Sequence, residues 1–103
     1  MKFKFPSKNI SSVELIKHCG YGDVRDPNAT EQSFARRLGS GFYPRFHVYL
    51  KDFETYFEVD LHLDQKQASY EGSRAHSGEY DGDTVTNEAR RITGLIKEMY
   101  DKI

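Results

Sequence analysis

Between Thr55 and Asp64 apolar and polar side chains alternate. Phe57, Val59, Leu61 and Leu63 share one parity, and Glu58, Asp60, His62 and Asp64 share the other. Successive side chains of a strand point to opposite faces. The segment therefore predicts a half-buried strand over about 54–64, apolar on one side and carrying three carboxylates and an imidazole on the other. A second stretch, about 43–51, has the same character, with Phe46 and Val48 at core parity. A tight turn around Asp52 and Phe53 would join the two as a hairpin. In that register Val48 faces Phe57, Phe46 faces Val59, Arg45 faces Asp60, His47 faces Glu58 and Lys51 faces Glu54. Apolar meets apolar and each charge meets its opposite, whereas a slip of one residue would destroy both matches.

Elsewhere the period is helical. Ser11 and Glu14 form a capping box, Ile10 and Leu15 are spaced as a hydrophobic staple, and Gly20 follows Cys19 as a stop. These signals predict a helix over 12–19 with Val13, Leu15 and Ile16 inward. Two turns do not persist alone, so it must dock on something larger. Val85, Ala89, Ile92, Ile96, Met99 and Ile103 recur as one stripe and predict a long helix over 84–102. Asp83 is the expected N-cap, with Asp81 just outside. Residues 31–38 carry both signals. Phe34 and Leu38 fit a helical pair, but Gly39-Ser40-Gly41 reads as a loop between antiparallel strands, and the strand reading is preferred.

Packing the helical stripe on the apolar hairpin face gives one α+β domain over 1–103. It would have a small antiparallel sheet of two or three strands, with a short N-terminal and a long C-terminal helix on one face. The other face would carry Arg45, His47, Tyr49, Glu58, Asp60, His62 and Asp64.

Composition narrows the classes. At 103 residues with seven Phe, seven Tyr and 30% charged residues, the chain suits a folded domain with a modest core. No apolar run approaches the length of a membrane span. Met1-Lys2-Phe3-Lys4 has the charge of an export signal, but Pro6, Ser7, Lys8 and Asn9 replace its hydrophobic region. Cys19 is the single cysteine, which excludes an internal disulfide and a cysteine-based zinc site, and a cytoplasmic setting is expected. The net charge of -1 conceals an asymmetry: residues 1–51 carry nine Lys or Arg against four Asp or Glu, and residues 52–103 carry six against twelve. Pairing of the basic strand with the acidic one accounts for much of it.

Candidate chemistry concentrates at the end of the second strand. His62 and Asp64 are same-face neighbours, about 6.5–7 Å apart along the strand, close enough to reach one cation. They precede a long polar stretch, 65–82, whose His76 and Glu79, with Asp81, could complete the three or four ligands that a divalent metal needs. His47 falls about 13 Å along the sheet from that pair in the register above. Its expected partner is Glu58. Arg36, Arg37, Arg45 and Lys51, interleaved with Phe42, Tyr43, Phe46 and Tyr49, resemble a surface for single-stranded nucleic acid. The acidic row of the facing strand would repel phosphates and argues against it. Nucleophilic catalysis lacks a motif: His18 and Cys19 are adjacent on a helix, Ser77 has no elbow, and the glycines form no phosphate loop.

The sequence thus favours a binding or interaction domain that uses the polar face and the 65–82 stretch, with a protein or small-molecule partner. A metal-dependent hydrolase built on His62, Asp64, His76 and Glu79 is the alternative, and a nucleic-acid-binding domain the second.

Overall fold

Pro44 has no N–H to give a ladder, so the central strand starts just after it. That strand, β4 (Arg45–Asp52), reverses into β5 (Tyr56–Asp64), and the Phe53 N–H donates to the Tyr56 carbonyl at 2.8 Å. The structure, a computed structural model, describes residues 1–25, 31–65 and 82–103 together with the backbone of 78–79.

The hairpin keeps the faces expected of it but not the register. Val48 pairs with Leu61, Phe46 with Leu63, Leu50 with Val59, Lys51 with Glu58, His47 with His62 and Arg45 with Asp64. The reversal lies two residues later than Asp52–Phe53, which moves every partner by four. An even shift leaves each side chain on its own face. The pairs Val48–Phe57, Phe46–Val59, Arg45–Asp60, His47–Glu58 and Lys51–Glu54 are all replaced. The register adopted has three apolar pairs where the other has two, and it still sets Arg45 against Asp64 and Lys51 against Glu58.

The sheet is also wider than two or three strands. It runs β1 (Lys2–Pro6), β5, β4, β3 (Ser33–Arg37), β2 (Gly22–Asp23), antiparallel throughout. A two-residue β6 (Gly78–Glu79) pairs β5 at Asp64 and Leu63. Strand β3 settles 31–38 as extended. The chain start is strand β1, with Phe3 and Phe5 opposite Val59 and Phe57, and Lys2 and Lys4 opposite Asp60 and Glu58. The acidic row of β5 is thus flanked by basic residues on both sides.

Helix α1 (Ser12–His18) is capped as expected: the Ser11 hydroxyl accepts from the Glu14 N–H at 3.1 Å. Its successor Gly20 adopts φ 97°, a left-handed conformation that glycine takes at no steric cost. Helix α2 (Asp83–Asp101) begins one residue earlier than expected. Asp83 is its first residue, and Gly82, at φ 116°, takes the cap position without a side-chain cap. Val85, Ile92 and Ile96 are buried, Ala89 and Met99 are half-buried, and Ile103 is exposed. Leu15 and Ile16 join them against Phe34, Val48, Val59 and Leu61, all nearly inaccessible to solvent. Each such side chain contributes on the order of 1.5–3 kcal/mol before entropy is subtracted. Among the described residues no helix is long and apolar enough to cross a membrane.

Candidate functional site

Because Phe46 and Val48 flank His47, and Leu61 and Leu63 alternate with His62 and Asp64, burial of the apolar neighbours forces all three polar side chains onto the other face. The register then makes His47 and His62 a direct cross-strand pair, their ring centroids 4.9 Å apart. This overturns the expected distance between them and the expected His47–Glu58 contact, since Glu58 lies opposite Lys51 and Lys4. The Asp64 carboxylate joins the pair. Its Oδ2 lies 3.0 Å from His47 Nδ1, and its Oδ1 lies 3.2 Å from His62 Nε2. The Arg45 Nε donates to the same Oδ2 at 3.2 Å. Tyr49 stacks on both imidazoles, at 4.8 Å from His47 and 5.7 Å from His62.

These groups are largely withdrawn from water: each histidine is 7% exposed. Burial alone would raise the Asp64 pKa, but hydrogen bonds from His47 and His62 outweigh it and hold the carboxyl well below the usual range. With Nδ1 of His47 turned to Asp64, its Nε2 is buried and has no hydrogen-bond partner among the described residues. One ligand atom from each of His47, His62 and Asp64 lies within 4.8 Å of the others, a spacing that one cation can bridge. Two imidazoles and a carboxylate suit a zinc-like or other first-row divalent ion.

Of the residues named from sequence, His62 and Asp64 meet, and His47 meets them. His76 and Asp81 lie outside the described residues. Glu79 is described only through its backbone pairing with Leu63. Arg45 and Tyr49 border the cluster, whereas Glu58 and Asp60 sit further along β5, opposite Lys51 and Tyr49.

A second polar cluster lies on the helix side, and the sequence reading passed over it. Glu88 of α2 is 5% exposed. It accepts from the Tyr21 hydroxyl at 2.6 Å and from Arg91 Nε and Nη2 at 2.7 and 2.8 Å. Arg36 Nη1 stands 3.7 Å away, and Arg91 Nη2 also donates to the Cys19 carbonyl at 2.7 Å. Arg36 therefore lies on the core side of the sheet, opposite in face to Arg37 and Arg45. The sequence held a signal: Glu88 falls on the apolar stripe between Val85 and Ile92, with Arg91 one turn on. Burial pushes the Cys19 thiol up to about 11 despite the nearby Arg91, and burial with the Glu88 hydrogen bond raises Tyr21.

No family model matches this sequence, and comparison with curated proteins and with solved structures finds no significant match.

Proposed function

We propose that this protein is a ligand-binding domain whose polar sheet face holds one divalent transition metal at His47, His62 and Asp64. The observation that carries the reading is the convergence of three ligand atoms within 4.8 Å on two adjacent strands, with His47 Nε2 buried and unpartnered among the described residues. Strands hold ligands more rigidly than loops do, which lowers the cost of ordering a site. Three protein ligands leave a position of a four-coordinate ion for water or substrate, as hydrolytic zinc sites do. That keeps a metal-dependent hydrolase as an extension of the same reading, in which His76 or Glu79 would be additional groups.

One observation favours a second reading. Arg45 already pairs with Asp64, so the carboxylate has a cation without any metal. The cluster would then be a metal-free polar patch that braces the face for a partner.

Elemental analysis of protein purified without an affinity tag, followed by zinc titration calorimetry, separates the two. One zinc per chain is expected for the wild type, and none for His47→Ala, His62→Ala or Asp64→Asn with unchanged circular dichroism. Absence of uptake by the wild type leaves only the metal-free patch.

A further inference from the structure

Beside the cluster, across Ala35 from His47, the sheet face sinks into a cavity of about 330 Å³. Three arginines are among the residues that line it: Arg25 after β2, Arg37 at the end of β3 and Arg45 at the start of β4. We infer that this cavity takes the phosphate group of a small phosphomonoester.

Arg45 commits its Nε to Asp64. Arg25 and Arg37 have no carboxylate within 4.0 Å among the described residues, and the one carboxylate lining the cavity, Asp23, is held by Lys17 at 3.0 Å. A concave site where basic groups outnumber their carboxylate partners among the described residues attracts an anion. A phosphomonoester carries close to two negative charges at neutral pH and three strong acceptor oxygens, so it can engage several guanidiniums at once. A lone carboxylate offers two oxygens and one charge, which balances less of the positive charge of three arginines.

The arginines are also held in position. The Arg37 guanidinium lies 4.2 Å from the centre of the Phe42 ring, and that of Arg45 lies 5.0 Å from the Tyr43 ring. Arginine stacked on an aromatic face loses less freedom when it binds. Phe42 remains 64% exposed and lines the cavity, so it adds an apolar wall for the organic part of the ligand. Two small residues, Gly22 and Ala35, are part of its lining. Gly22 faces Ala35 across β2 and β3, and a Cβ added at Gly22 would meet nothing within 4 Å. A volume near 330 Å³ falls at the small end of ligand pockets. It suits a compact metabolite.

The inference does not require a metal, although Arg45 touches both sites. The test is calorimetry with phenyl phosphate in a phosphate-free buffer, on EDTA-treated and on zinc-loaded protein. Saturable binding in the EDTA-treated protein is expected. Arg37→Ala should weaken it about tenfold or more, the usual scale for a lost charge-assisted hydrogen bond. Gly22→Val should weaken it while leaving the fold intact, because the new side chain stands at a lining position and its Cβ meets no other atom within 4 Å. Arg90→Ala, a cation on α2 outside the cavity, should bind as wild type does. Equal weakening by Arg90→Ala, or undiminished binding by Gly22→Val, would overturn the inference. So would tighter, steeply salt-dependent binding of a ten-residue thymidine oligonucleotide, which would point to a nucleic-acid strand. Zinc uptake without phenyl phosphate binding removes this pocket alone, and the reverse result removes the metal reading alone.

Discussion

Asp64 and Glu88 are carboxylates on opposite faces of one sheet, each contacted by at least three polar groups, yet their neighbourhoods are finished to different degrees. Around Glu88 the accounting closes. Arg91 donates to both oxygens, Tyr21 to one, and Arg91 also satisfies the Cys19 carbonyl. Nothing in that cluster calls for a ligand, and its position under α2 hides it from one. Around Asp64 it does not close, because His47 Nε2 stays buried without a partner among the described residues. Leaving a buried polar atom unsatisfied costs about 1–3 kcal/mol. In the reading proposed for this face, that nitrogen, beside arginines of which Arg25 and Arg37 have no carboxylate partner among the described residues, is what a bound ligand would complete.

The largest effect should come from breaking the finished cluster. Glu88→Ala strands Arg91 and Arg36 near the core and removes the acceptor of Tyr21. Removing one partner of a buried pair costs about 3–5 kcal/mol. Urea denaturation should show a loss of that size, or no cooperative fold at all. A loss below about 1 kcal/mol would mean that the cluster is no structural keystone.

The next effect sharpens the contrast by crossing two isosteric changes. Zinc at a hundred times its dissociation constant should stabilise the wild type by about 2.7 kcal/mol. Asp64→Asn should lose that increment, and its midpoint in EDTA should fall as well, because Arg45 and the two imidazoles lose their shared carboxylate. Glu88→Gln should lower the midpoint yet keep the full zinc increment. If Glu88→Gln also loses the zinc increment, the two faces are coupled and the distinction between them fails.

How far the sequence disclosed these regions follows from what each rests on. Faces were legible because alternation is local: the parity of Phe57 to Leu63 settles which side His62 and Asp64 occupy. Register was not, because two registers four residues apart preserve the same faces and both pair opposite charges. Pro44 could have decided it, since a strand that starts at Arg45 and ends at Asp52 matches Asp64 to Phe57 residue for residue. That one slip separated His47 from His62 and hid the three-residue cluster. Strand β1 was masked in another way, its Lys–Phe alternation being weighed as an export signal. The arginine cavity was beyond reach from sequence, because Arg25, Arg37 and Arg45 come to line one space only after β2, β3 and β4 are laid side by side.

The smallest effect near neutral pH concerns the finished cluster again, through Cys19 and Tyr21. Both keep their protons in the fold to higher pH than in the unfolded chain, Cys19 to about 11 against an ordinary 9.0. Between those values the native state binds more protons than the unfolded one, so stability falls as pH rises. Below pH 9 this contribution is fully present, and stability should not depend on either group. The urea midpoint of the wild type should therefore hold between pH 7.5 and about 8.5, then decline toward about 10.5. Cys19→Ala should decline less steeply over the same window, because one of the two groups is gone. The thiol should also resist iodoacetamide until the protein unfolds, since burial disfavours the reactive thiolate. A midpoint indifferent to pH up to 10.5, or rapid alkylation of folded protein, would show that this cluster is open to water. The distinction between a sealed face and a receptive one would then disappear.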